Sequence, residues 1–161
     1  MVLAAAAALS GQGPGQGSGQ ERGQQEGADS IEVVDSPGQL AAFLKLHGWT
    51  AAEAGQHQLS SGRGAGQVSL YLRRSHGRPV AAAALFVSDG IGYCVPAAAT
   101  GNAAAGLDGA LLARRIVAAR DAGAEWVCTE ADLMSVRHLS LTRMGFEAAF
   151  LRAQWSSLSG P

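Results

Sequence analysis

Residues Thr100–Ile116 read TGNAAAGLDGALLARRI. Thr-Gly-Asn opens a turn, Gly106 and Gly109 punctuate the hinge beyond it, and an alanine- and leucine-rich helix runs out of that hinge. Such a join turns free backbone N–H groups and the positive end of a helix dipole toward an anion such as a phosphate. No lysine or arginine stands between Thr100 and Arg114, however, and Asp108 lies inside the turn. An acid there is also well placed for the first turn of a helix.

Downstream, Leu107, Leu111, Ala118 and Ala122 mark one helical face, which Leu112, Ile116 and Ala119 broaden. Arg114, Arg115 and Arg120 fall in the C-terminal half, where the dipole favours cations, and Gly123 supplies the stop. AEWVCTEAD then predicts a strand centred on Trp126–Thr129. A short helix over Ser135–Met144 comes next, closed by Gly145-Phe146. With Gly145 left-handed at the position after the cap, Leu141 and Phe146 should touch. EAAFLRAQW returns as a strand.

Upstream, Val68, Leu70 and Leu72 alternate with Ser69, Tyr71 and Arg73, the pattern of a half-buried strand. Ser75-His76-Gly77 turns the chain into the continuous apolar run Val80–Val87, and Ser88-Asp89-Gly90 turns it again into Ile91–Val95. Ser36-Pro37 starts a helix through GQLAAFLKLHGW that Gly48 ends. Before it, IEVVD from Ile31 reads as a short strand, and Thr50–Gly66 as loop. Residues 11–29 alternate Gly with Gln, Ser and Pro and hold almost no aliphatic side chain to bury, so 1–30 is expected to be a low-complexity, flexible tail. Hairpins followed by helical crossovers imply an α/β chain of the α+β type, with a mixed, mostly antiparallel sheet and flanking helices.

The chain of 161 residues has room for one domain. A formal charge of −1 and no basic run longer than a pair give no pull toward nucleic acid or an anionic membrane. The apolar run of MVLAAAAALS ends at Leu9, too short to span a bilayer and without a basic flank, so a cytoplasmic protein is expected. Cys94 and Cys128 lie in apolar strands without CxxC spacing and read as reduced, buried thiols; the four histidines are scattered and suggest no metal site. Trp49, Trp126 and Trp155 read as core.

Taken together, the PVAAAALF strand, the strand ending in AAAT, the glycine hinge into GALLARRI, the strand WVCTEAD and the closing MGF resemble the GCN5-related N-acetyltransferases. The resemblance covers Tyr71–Trp155, within a domain spanning 31–158. It implies the acyl-CoA N-acyltransferase fold, with a parallel strand pair that splays to admit acetyl-CoA. It also implies acetyl transfer to a primary amine of a small molecule or protein, with no nucleic-acid or membrane partner; homodimerisation is left open. The pantetheine arm would lie along Ala98, Ala99 and Thr100. The pyrophosphate would sit on the hinge and helix start: Ala103, Ala105, Gly106, Leu107, Asp108, Gly109 and Ala110. Alignment through ALL places Ala103 where the family has arginine or glutamine, Asp108 where it has its second glycine, and Leu141 where many members have a tyrosine acid. One lost charged hydrogen bond to phosphate is worth about 1.5–3 kcal/mol. These departures, with a short front part, keep a second reading open: a degenerate, non-catalytic binding domain of the same fold. Glu130, at the end of its strand, is the leading candidate for the general base, followed by Asp132 and His138; each also suits a strand end or a helix cap. Tyr71 and Tyr93 have no assigned role, although the strand of Tyr93 borders the cleft; Cys94 as a nucleophile ranks behind the carboxylates and His138.

Overall fold

A computed structural model of the chain describes residues 2–8, 29–50, 52, 66–100 and 108–152. In chain order these form β1 (Val2–Ala8), β2 (Ser30–Val33), α1 (Pro37–His47), β3 (Gln67–Ser75), β4 (Arg78–Ser88), β5 (Ile91–Cys94), β6 (Ala98–Ala99), α2 (Asp108–Asp121), β7 (Trp126–Asp132), α3 (Val136–Arg143) and β8 (Glu147–Arg152). The strands make one sheet in the order β2-β3-β4-β5-β7-β1-β8, with β6 paired beside β5 on β4. Only β5 and β7 run parallel among the described pairs.

The boundaries come from short-range chemistry. Ser36 caps α1 in a reciprocal capping box with Gln39, Pro37 fills the first turn, and Gly48 closes the helix at φ 75°. The turns β3–β4 and β4–β5 place His76 (φ 49°), Gly77 (φ 72°), Asp89 (φ 50°) and Gly90 (φ 76°) in the left-handed region that two-residue hairpins need. At the end of α3, Gly145 sits at φ 87°. Phe146 N–H donates to Leu141 O at 3.0 Å and Gly145 N–H to Thr142 O at 3.1 Å, the paired bonds of a Schellman close. Leu141 and Phe146 are both buried in the same core cluster, as the sequence anticipates.

Each face of the sheet carries its own core. Leu70, Leu72, Ala82 and Ala84 lie under Phe43 of α1, with Val95 packed beside them. On the opposite face Tyr71, Ala81, Ala83, Leu85 and Cys94 meet Leu111, Leu112 and Ala119 of α2, and Val127 and Ala131 join Leu141 and Phe146. The alanine run of β4 keeps both helices close to the sheet. Gly92 does the same on β5: a Cβ there would stand 2.7 Å from Ala119 Cβ.

Three expectations are corrected. Residues 2–8 are not a tail; they form β1, antiparallel to both β7 and β8, with Ala4 opposite Glu130 and Phe150. The low-complexity character of the Gly-Gln stretch does not reach back over this segment, whose alanines pair by backbone, and composition does not reveal that pairing. Trp126 is half exposed, at 50 %, rather than core. Arg115 is not a solvated cation near a helix end but a fully buried side chain, at 0 % exposure, on the inward stripe of α2. The expected contacts of Leu107 and Trp155, most of the expected loop 50–66 and residues 9–28 lie outside the described residues.

Candidate active site

β5 and β7 pair in parallel from Ile91/Trp126 as far as Cys94/Thr129. Beyond that point the two strands take different partners. Val95 N–H donates to Ala84 O and Thr100 N–H to Val80 O, both at 3.0 Å, keeping Val95–Thr100 against β4. β7 instead continues through Glu130, Ala131 and Asp132 beside β1. The parallel pair therefore parts after Cys94 and Thr129, as the family resemblance implies. Because peptide groups alternate along a strand, Ala99, adjacent to Thr100, turns its own N–H away from β4 and toward the opening.

Polar side chains organise the root of the parting. Thr129, fully buried, donates from Oγ1 to Cys94 O at 2.7 Å. Arg137 of α3 donates from Nη2 to Thr129 Oγ1 at 3.0 Å and from Nε to Glu130 O at 2.9 Å. Arg115 of α2 donates from Nη1 to Val95 O at 2.6 Å and Ala84 O at 3.1 Å, and from Nε to Leu111 O at 3.2 Å. Desolvation lowers the pKa of both arginines below the usual guanidinium value. Sequence reasoning missed both residues; nothing in the local pattern separates Arg137 from the solvated arginines nearby. An arginine on the apolar stripe of a helix was the available signal for Arg115.

Strand register decides which candidates share a side of the sheet. Cys94 packs on the α2 face, and Val95 on the α1 face. Tyr93 is thus on the α1 face, opposite Cys128 across the ladder, and Glu130 comes two residues later on that side. The Glu130 carboxylate accepts from Arg152 Nη2 at 2.5 Å, and Tyr93 lies near enough on the same side of the sheet to feel its charge. Burial, then the neighbouring Glu130 charge, push the Tyr93 phenol up to about 12. Asp132 is exposed at the end of β7, and its carbonyl accepts from Ser135 N–H. His138 belongs to the cap of α3: Nδ1 accepts from Met134 N–H at 3.0 Å, and its own N–H donates to Ser135 Oγ. Tyr71 is core on the α2 face. Burial pushes the Cys94 thiol up to about 11 and raises Cys128 as well, so neither thiol is poised as a nucleophile.

Of the expected cofactor contacts, Ala98 and Ala99 form β6 and Thr100 ends it on β4. Asp108, Gly109 and Ala110 form the first turn of α2. Ala103, Ala105, Gly106 and Leu107 lie outside the described residues. His47, at the end of α1, stacks on Phe43 at 5.3 Å and lies 4.4 Å from the Trp49 ring; burial holds its imidazole below the usual value. Among the described residues no group of three His, Cys, Asp or Glu could hold a metal, and no helix is long and apolar enough to cross a membrane.

This architecture is that of the GCN5-related N-acetyltransferases: the chain has their acyl-CoA N-acyltransferase fold. It is similar to an acetyltransferase of Trypanosoma brucei (18% identity, 81% of this chain and 100% of that one, TM-score 0.61). It is also similar to an aminoglycoside acetyltransferase from an uncultured soil metagenomic sample, solved with sisomicin (13% identity, 80% and 96%, TM-score 0.59). A tandem protein of this fold from the clavulanic acid biosynthesis pathway matches over 91% of this chain but 50% of its own length (13% identity, TM-score 0.59). The chain likewise spans 57% of a functionally unknown conserved protein from Staphylococcus epidermidis that shares the fold. No family model matches the chain, and no curated protein is similar to it in sequence.

Proposed function

We propose that this chain is an N-acetyltransferase that moves an acetyl group from acetyl-CoA to a primary amine of a small molecule or protein. The observation that carries the reading is the parting of β5 and β7 after Cys94/Thr129, with the edge at Ala99, unpaired among the described residues, on one side and Glu130 on the other. These residues fit the cofactor: the edge offers a peptide N–H to an amide-bearing arm, and the first turn of α2 offers N–H groups and a positive dipole end to a pyrophosphate. Bound acetyl-CoA supplies an activated thioester. Glu130 then takes a proton from the acceptor ammonium, freeing the nitrogen lone pair. The nitrogen–carbon bond forms as the carbon–sulfur bond breaks; of the two protons the nitrogen sheds, one ends on sulfur and the other passes to solvent. High thiol pKa values at Cys94 and Cys128 favour this direct transfer over an acyl-cysteine route.

Acetyl-CoA at about 100 times its Kd should stabilise the fold by about 2.7 kcal/mol, raising Tm by about 5–10 °C for a chain of this size. Glu130→Gln should keep that shift and lower thioester turnover by about 100-fold or more. Absence of any shift at millimolar acetyl-CoA removes the reading; unchanged turnover in Glu130→Gln removes Glu130 as base. The position of Leu141 favours the non-catalytic alternative: it stands where the family has its tyrosine acid and is buried in the core. Acetyl-CoA binding without turnover would decide for that alternative.

A further inference from the structure

Glu130 is gripped from three elements. Its carboxylate accepts from Arg152 of β8, its carbonyl accepts from Arg137 of α3, and Tyr93 of β5, paired with Cys128 two residues earlier, neighbours it on the same side of the sheet. Arg152 makes its contact across an intervening strand, since β1 lies between β7 and β8 with Val2 opposite both Asp132 and Arg152. A carboxylate at a strand end needs no such framework to stay soluble. A carboxylate that must meet one incoming proton does, because misplacement by about 1 Å costs a catalytic group about 100-fold.

We propose that Tyr93 and Arg152 are positioning residues for Glu130, fixing its carboxylate so that one oxygen lone pair stays aimed at the acceptor amine. This rests on Glu130 acting as base in the acetyl transfer proposed above. Tyr93 suits the task because its phenol is half-buried on the same side of the sheet and keeps its proton through the neutral range. It therefore has a proton to offer the carboxylate beside it. Arg152 contributes a fixed planar donor that lysine reproduces only in part.

The test measures steady-state kinetics with acetyl-CoA and butylamine as probe, tracking thiol release, in wild type, Tyr93→Phe, Arg152→Lys, Arg152→Met, Glu130→Gln and Tyr93→Phe/Glu130→Gln. Tyr93→Phe should lower kcat by about 10-fold or more while KM for acetyl-CoA stays within about twofold. Arg152→Lys should retain more activity than Arg152→Met. In the Glu130→Gln background, Tyr93→Phe should have no further effect, because its influence passes through the carboxylate. A merely structural tyrosine would instead lower both backgrounds equally.

A second readout needs no turnover. The charged and titratable groups facing the Tyr93 phenol are Glu130, Arg152, Cys128 and Arg137. Tyrosinate absorbance should therefore develop at lower pH in Glu130→Gln and at higher pH in Arg152→Met. Wild-type kcat in Tyr93→Phe, or an unmoved phenol titration in Glu130→Gln, overturns the positioning role and leaves Glu130 itself untouched. Full activity in Glu130→Gln, or a wild type that neither binds nor turns over acetyl-CoA, overturns both.

Discussion

Replacing Gly92 with alanine puts a methyl carbon 2.7 Å from Ala119 Cβ, 3.4 Å from Val127 Cγ2 and 3.6 Å from Leu85 Cδ1. Carbon atoms rest at about 3.5–4.0 Å, so the Ala119 contact is short by about 1 Å. Val127 and Leu85 already stand at contact distance and leave no room sideways; the relief has to come from α2 lifting off β5. Lifting loosens Leu111, Leu112 and Ala119, all buried against the sheet. Overpacking of this kind costs about 1–3 kcal/mol, which for a chain of this length lowers Tm by about 2–12 °C. Circular-dichroism melts of Gly92→Ala, Ala119→Gly and the double variant form a cycle. Ala119→Gly alone should cost roughly 1 kcal/mol in helix propensity, yet in the double variant it removes the clash. The double variant should accordingly be at least as stable as Gly92→Ala. Additive losses, or a Gly92→Ala protein that melts like wild type, would refute this account of how α2 is seated and hence of where its N-terminus points.

Two further outcomes are expected from buried polar groups. Arg115→Met keeps the volume but leaves Val95 O without its guanidinium donor, while Ala84 O retains Val95 N–H; thermal melts should show a loss of about 1–3 kcal/mol, and a variant no less stable than wild type would show that the carbonyl lashing contributes nothing. The Cys94 thiol, raised from 9.0 to about 11, protects the fold fully below pH 9, and that contribution is lost as pH rises toward 11. The sign comes from proton binding: between those values the folded state holds the proton that the unfolded state has released. Urea titrations from pH 8 to 10.5 should show a slope steeper in wild type than in Cys94→Ala by up to about 1.4 kcal/mol per pH unit; equal slopes would contradict it.

Much of the architecture was legible in the chain because it is dictated locally. Ser36-Pro37, the two hairpin turns, the Gly123 stop and the MGF close are decided by φ preference and capping chemistry within a few residues. Alternation over Val68–Arg73 and the apolar run Val80–Val87 likewise declared half-buried and fully buried strands. That Glu130 falls within β7 was also readable from the WVCTEAD pattern; that it lies just past the last pair with β5 was not. Its partners were not: Tyr93 lies 37 residues away and Arg152 lies 22 away.

Sequence by itself determined the order of the longer strands and helices from Ser30 onward and the presence of a carboxylate in β7. Tertiary structure alone decided that residues 2–8 lie between β7 and β8, that Arg115 is buried on main-chain carbonyls, and that Glu130 shares a face with Tyr93 and Arg152. The physical reason is one of range. Backbone propensity and side-chain periodicity act over a few residues and are written in the string itself. Pairing partners, and the pooling of distant polar groups on one side of a sheet, depend on which strands lie side by side, and the same local pattern is compatible with many such arrangements.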